Sequence, residues 1–400
     1  MATVSGHCDP RFTSVRTLLS TQLSSEAELG ASITVTHHNK TLLDIHGGYT
    51  TAARTTSWSE NTIVPVWSIT KTISALAVLL LIDRGQLHPD DPLAKYWPAF
   101  DTDDKRSIRV RHCLSHTAGL PSWSPPITTK ELFTDYPSAR EKLAAQKPWW
   151  EPGTASGYHL VAQGVLLGEL VHRVSGKSIG EFIRDELALP LDADFHLGLA
   201  DDSQYHRIAE VIPPPPFPKL DLKDIDPASP QALALRAIRG LPLIAEESGT
   251  PGFRKSGVGS MAGFSNSRGF NKILSIITNR GTVNGTQFLK PETVDLIFEV
   301  QAEGPDLVVG LPLKMGLGFG LVNGALDWLP RTGKVCYWGG WGGSLAVMDL
   351  DRGVTITYAM NRMEAGTLGN SNSELYFREV YRAFGRGCSR QRGGIGLRGG

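Results

Sequence analysis

Cysteine is scarce in this chain. Four occur in 400 residues, Cys8, Cys113, Cys336 and Cys388, far apart and with no C-x-x-C pair. That spacing excludes a disulfide-stapled small fold and a paired-cysteine zinc site, and it predicts reduced thiols in a cytosol-like compartment. Neither sign of charge is in excess, with 40 basic and 40 acidic side chains. Without a basic stripe or an acidic tail, no nucleic-acid partner is expected. The longest apolar run, residues 73–82, is too short to span a bilayer and reads as a core helix, so no membrane partner is expected either. Residues 1–11 lack the charged-then-apolar pattern of a secretory signal, and the chain is read as cytoplasmic. Internal repeats are missing. His112, Cys113 and His116 lie close together, but no H-E-x-x-H pattern accompanies them, so packing or a hydrogen-bonded turn is expected rather than a metal centre. No cofactor is implied.

What is present is core-forming material on a large scale. Hydrophobic residues make up 41% of a length that suits one large or two intertwined domains. Residues 12–28 alternate at helical spacing. Residues 31–37 and 41–46 read as a hairpin turned at His38-Asn39-Lys40. An apolar helix follows Ser68 and ends near Asp83-Arg84, with Gly85 as its C-cap. A further helix is expected to open near 108 and close at Gly119.

From 121 to 300 the pattern is mostly helices and long loops, with helices over 161–174, 179–187, 231–239, 270–280 and 291–300. The proline-rich stretch 212–218 cannot be helix or central strand and reads as a surface loop. Strands return at 318–322, 335–338, 344–349 and 353–360, and a helix follows over 374–384. The expected fold class is α+β (α/β in the broad sense): an antiparallel sheet built from both chain ends, flanked by helices, with a mostly helical insertion. In residue ranges this gives an arm at 1–11, a sheet domain at 12–85 and 301–384, a helical domain at 86–300, and a disordered Gly/Arg-rich tail at 385–400.

The chemistry is read from three stretches. In Ser68-Ile69-Thr70-Lys71 a hydroxyl and an amine three residues apart share one face of a helix start. The same helix start offers N–H groups and the positive dipole end to an oxyanion. A lysine whose pKa is lowered by burial or by a neighbouring cation can take the serine proton. Ser68 as a simple N-cap and Lys71 as a solvated residue is the competing reading, since S-x-x-K recurs by chance. Tyr158, after a Pro-Gly turn and before a helix, is the candidate second proton carrier; beside a lysine its phenol could titrate low enough for that role. The competing reading is a buried structural tyrosine. In Tyr337-Trp338-Gly339-Gly340-Trp341-Gly342-Gly343-Ser344, four glycines beside a strand let backbone N–H groups approach a ligand closely. Here too a bulged strand with packing aromatics is the alternative. Gly342-Gly343-Ser344 nearly matches a nucleophile elbow, but a strand rather than a helix is expected after it, so Ser344 is rejected.

The ordered set of stretches resembles the serine β-lactamase/penicillin-binding-protein superfamily, and more narrowly the family VIII carboxylesterases, which are similar to class C β-lactamases. The superfamily's S-x-x-K, Tyr-x-Asn and Lys-Thr-Gly signatures correspond here to Ser68–Lys71, Tyr158-His159-Leu160 and Trp338-Gly339-Gly340. The stretches Leu114-Ser115-His116-Thr117-Ala118-Gly119-Leu120 and Glu151-Pro152-Gly153-Thr154 match as well. Leucine replaces the asparagine, and Trp338 stands where lactamases carry lysine, which argues against a dedicated lactamase and suits a neutral, apolar group. By carry-over, Ser68 attacks, Lys71 and Tyr158 handle protons, and the N–H groups of Ser68 and Trp341 hold the oxyanion. Trp338, Gly339, Gly340 and His159 are implied as substrate-binding neighbours. The expected activity is hydrolysis of a small-molecule carboxylic ester through an acyl-enzyme. Acyl transfer to an alcohol, lactamase- or peptidase-like hydrolysis, and a non-catalytic binding role are the alternatives.

Overall fold

The computed structural model describes residues 3–215, 226–227, 229–241, 243–324 and 326–388. Its strands are β1 (Val4–Cys8), β2 (Gly30–His37), β3 (Lys40–Gly48), β4 (Val64–Pro65), β5 (Phe195–Leu197), β6 (Gly263–Ser265) and β7 (Thr282–Val283). They continue with β8 (Thr286–Gln287), β9 (Ala302–Pro305), β10 (Pro312–Met315), β11 (Gly320–Leu321), β12 (Val335–Gly339), β13 (Leu345–Asp349) and β14 (Val354–Met360). The first helices are α1 (Thr13–Ser24), α2 (Ile69–Asp83), α3 (Val110–Leu114), α4 (Thr129–Phe133), α5 (Tyr136–Ala145) and α6 (Ala162–Ser175). Then come α7 (Ile179–Ile183), α8 (Pro230–Arg239), α9 (Pro251–Lys255), α10 (Ser267–Thr278), α11 (Pro291–Leu296) and α12 (Ser371–Cys388).

A nine-stranded antiparallel sheet, ordered β1-β3-β2-β14-β13-β12-β11-β10-β9, is built from both ends of the chain. Its seam is the β2–β14 pairing, with Ile33 opposite Tyr358 and Thr34 opposite Thr357. Alternation along these strands sends two chemistries to two faces. Ile33, Val35, Ile356 and Tyr358 are all fully buried, and Tyr358 reaches the side of α12, where its ring lies 5.4 Å from that of Tyr376. The opposite face is threonine-rich yet dry, because α10 covers it with matching polar groups. Asn271 donates to Thr34 O, Thr355 O and Thr357 Oγ1, and Thr278 and Thr355 share a 2.8 Å hydroxyl bond. α10 thus packs on the sheet although its sequence falls in the span read as the helical domain.

α2 is the central helix, with every residue from Ile69 to Leu81 buried. It ends where Gly85 takes φ +70°, the left-handed turn expected of a C-cap glycine.

Several expectations are revised. β1 is an edge strand rather than a free arm; its own sequence is polar, and it exists because β3 offers an open edge. The helix expected up to Gly119 stops at Leu114, where His116 turns to φ +63°. β9 and β10 come from a stretch with little alternation. α12 starts at Ser371 and runs on to Cys388, beyond the expected 374–384. Residues 216–218 of the proline-rich stretch and 389–400 of the Gly/Arg-rich tail lie outside the described residues. Among the described residues no helix is long and apolar enough to cross a membrane, and no group of His, Cys, Asp or Glu is disposed to hold a metal ion.

Candidate active site

The site begins with a strained residue. Trp67, between β4 and α2, takes φ +49°, a conformation that costs a bulky residue on the order of 1–3 kcal/mol. Its surroundings hold it there: the ring packs edge-on against Phe253 at 5.4 Å and Trp341 at 5.2 Å, and its carbonyl accepts from Thr70 N at 2.9 Å. The turn delivers Ser68 to the residue just before α2. Ser68 sits at the N-cap, but its hydroxyl caps nothing. It instead meets Lys71 Nζ at 3.0 Å, and it acts to lower the pKa of the Tyr158 phenol.

Lys71 is 2% exposed and forms no ion pair among the described residues. Burial drives its pKa well below the usual lysine value. Its other two partners are the carbonyl oxygens of Leu160 (2.7 Å) and Ser260 (2.9 Å). Carbonyls can only accept, so a neutral amine gives them both of its N–H bonds and turns its lone pair to Ser68. The amine also lies 4.9 Å from the centre of the Tyr158 ring.

Tyr158 is 2% exposed and held by its backbone. Asp306 Oδ1 accepts from Tyr158 N at 2.9 Å, and Asp306 Oδ2 accepts from Ser156 Oγ at 2.6 Å. Trp338 Nε1 donates to the phenol oxygen at 3.4 Å, a long contact. The expected lowering of the phenol pKa is overturned. Desolvation raises it, outweighing the lowering influence of Ser68 and of the Trp338 N–H. The phenol therefore stays protonated and can pass a proton only by giving one while it takes another.

The glycine-rich run closes the site from the β12 end. A Cβ on Gly340 would lie 2.4 Å from Val66 O, and one on Gly339 would lie 2.5 Å from Thr367 O, so a side chain at 340 would push the strand end off the Val66–Trp67 turn and one at 339 would push it off the 367–369 loop. Among the described residues no acceptor meets the N–H of Ser68 or of Trp341. Beside Tyr158 and Trp338, an apolar wall is formed by Ala237, Val308, Leu313 and Met315, with Trp149, Val309 and Leu368 against it. Ser344 is fully buried and followed by β13, with no helix behind it.

His159 is a correction. It is fully buried, with Nε2 accepting from Leu120 N at 3.2 Å and Nδ1 on Gly157 O at 2.6 Å. Neither ring nitrogen is free for a substrate, so it shapes the loop that carries Tyr158. His116 was read only as a turn residue, yet its ring touches both Tyr158 (4.8 Å) and Trp338 (5.9 Å), and burial keeps it neutral. Asp306 carried no signal at all, being a lone acid 148 positions from the tyrosine it holds. The two carbonyls on Lys71 are backbone atoms, which no side-chain motif can reveal.

A model of the beta-lactamase family matches residues 15–379. The esterase/beta-lactamase LipL of Mycobacterium tuberculosis is 29% identical over 369 residues, which is 90% of this chain and 83% of that protein. A solved family VIII carboxylesterase superposes with a TM-score of 0.87 at 30% identity, covering 95% of this chain and 99% of that one. A penicillin-binding protein homologue from Caulobacter crescentus gives 0.86 at 29% identity, over 95% and 99% of the two chains. These bear out the mixed helix-and-antiparallel-sheet fold expected from the motifs.

Proposed function

The chain belongs to the beta-lactamase family and is a serine hydrolase, and on that premise we propose that it cleaves carboxylic esters through an acyl-enzyme formed on Ser68. One observation carries this reading: a buried amine, without a carboxylate partner among the described residues, lies 3.0 Å from the Ser68 hydroxyl with its other bonds taken by carbonyls. Neutral Lys71 takes the proton as Ser68 Oγ adds to the ester carbonyl. The oxyanion is met by the N–H groups of Ser68 and Trp341, the first at the positive end of α2. As the C–O bond breaks, Lys71 returns the proton to the leaving alcohol, with the Tyr158 hydroxyl receiving one proton and giving its own. Water then adds to the acyl carbonyl, loses a proton to the same pair, and Ser68 leaves reprotonated.

The likeness to a solved family VIII carboxylesterase supports an ester substrate. So does Trp338, which gives the site an indole where a lactam carboxylate would want a cation. The test is a series of p-nitrophenyl esters of graded chain length beside a chromogenic cephalosporin. Ester turnover that vanishes in Ser68→Ala, with little cephalosporin cleavage, is expected. Turnover surviving in Ser68→Ala contradicts the reading. Adding an alcohol acceptor and analysing the products separates hydrolysis from acyl transfer.

A further inference from the structure

An ester's two halves leave the reacting carbon in different directions, and the site gives them different surroundings. With the carbonyl oxygen at the N–H groups of Ser68 and Trp341, the oxygen of the departing alcohol faces the hydroxyl that protonates it, that of Tyr158. The carbon chain on that oxygen therefore lies against whatever flanks the phenol. One flank is the His116 ring at 4.8 Å, kept neutral by burial. Another is the Trp338 indole at 5.3 Å. Beside Trp338 stands the apolar backing supplied by α8 and the β9–β10 segment, each member 4% exposed or less.

Trp149, Leu160, Val309 and Leu368 pack on this backing and stay partly exposed, which makes them the surface a ligand touches. The apolar surface runs on to solvent, for Leu311, on the same turn as Val309, is 43% exposed. Among the described residues no charged side chain belongs to it. Asp306, at the base of the turn, spends one oxygen on the backbone N–H groups of Tyr158, Val308 and Val309 and the other on Ser156. Arg236 lies over the Trp149 ring, 4.2 Å from its centre, and donates to Ser124 Oγ at 2.8 Å, so it holds the indole in place.

We propose that the alcohol half of the ester carries the specificity: the substrates are esters of uncharged alcohols with an apolar body of several carbons, and Val309 and Leu368 are specificity-determining contacts for that body. The proposal rests on the acyl-enzyme reading of Ser68. It separates the two halves cleanly. Every acetate ester leaves the same acetyl group on Ser68, so contacts to the alcohol are felt only up to the step that expels it, and they appear in kcat/KM. Each further methylene that leaves water for the apolar surface strengthens that step.

The test measures kcat/KM of the full chain by titrating the acid released from two series of esters. One holds the acetyl group and varies the alcohol through methanol, butanol and hexanol; the other holds methanol and varies the acid through acetate, butanoate and hexanoate. Among the acetates, hexyl over methyl is expected to reach at least about thirtyfold. Val309→Asn and Leu368→Asn should each cut that ratio at least about fivefold while the hexanoate-to-acetate ratio of the methyl esters stays within about twofold. A ratio within one preparation does not depend on the fraction folded, and the two variants lie on separate segments, so either serves if the other fails to fold. A flat alcohol series, an alcohol ratio that the variants leave unmoved, or variants that shift the acid ratio instead, overturns the proposal. Ester turnover surviving in Ser68→Ala would sink the underlying reading, so the two failures are distinguishable.

Discussion

At the residue scale the account turns on one amine. Lys71 is pushed toward neutrality by burial alone, so kcat/KM is expected to rise with pH through its lowered pKa. The sign for stability follows from the same shift. The folded protein binds fewer protons than the unfolded chain below lysine's usual 10.5, so stability is lost as pH falls through the folded pKa. Lys71→Ala should cost kcat about 10²–10⁴-fold and abolish the acidic limb of kcat/KM, as read from initial rates across pH. A surviving acidic limb would assign it to another group. Trp338→Phe keeps an aromatic side chain, though a smaller one, and removes the N–H facing the Tyr158 oxygen. A fall in kcat of about tenfold is expected, the worth of one hydrogen bond, with some loss in the melt from the smaller buried ring. The Ser68–Lys71 pair was legible because both residues lie on one helical turn. The high phenol pKa of Tyr158 was not, because it depends on packing by His116 and Trp338 from distant stretches.

At the element scale, the site exists because three backbone segments approach closely: the Trp67 turn, the Tyr158 loop and the end of β12. The glycines of β12 announced that approach in the sequence, and the 2.4 Å from a Gly340 Cβ to Val66 O gives the reason. Gly340→Ala should therefore lower kcat more than it raises KM, since it displaces Trp341 N–H without removing any side chain; equal effects on both would refute this. Asp306 holds the Tyr158 loop through Tyr158 N, Ser156 Oγ, Val308 N and Val309 N. Asp306→Ala leaves those donors unsatisfied, and a loss of about 1–3 kcal/mol in a urea melt should accompany the fall in kcat. Short elements such as β1 and β9 escaped the sequence because their partners, not their own patterns, decide them.

At the scale of the whole molecule, the sheet closes the chain's two ends on each other and puts α2 and α10 at its core. The hairpins and the long apolar helix were readable from periodicity. The threonine face was not, since a polar stripe on a strand suggests solvent, whereas here Asn271 and Thr278 of α10 cover it. Asn271→Ala should shift the urea midpoint by a loss of about 1–3 kcal/mol while the kcat of the folded fraction stays the same. A variant as stable as wild type would show that the α10 interface is not held by these bonds. The claim beneath all of this is that an acyl group passes through Ser68. Rapid acid quench of the enzyme turning over a p-nitrophenyl ester, followed by mass spectrometry of its peptides, measures this directly. The peptide holding Ser68 should gain the mass of the acyl group in wild type and not in Ser68→Ala; an acyl group on any other residue, or on none while ester is being turned over, would contradict it.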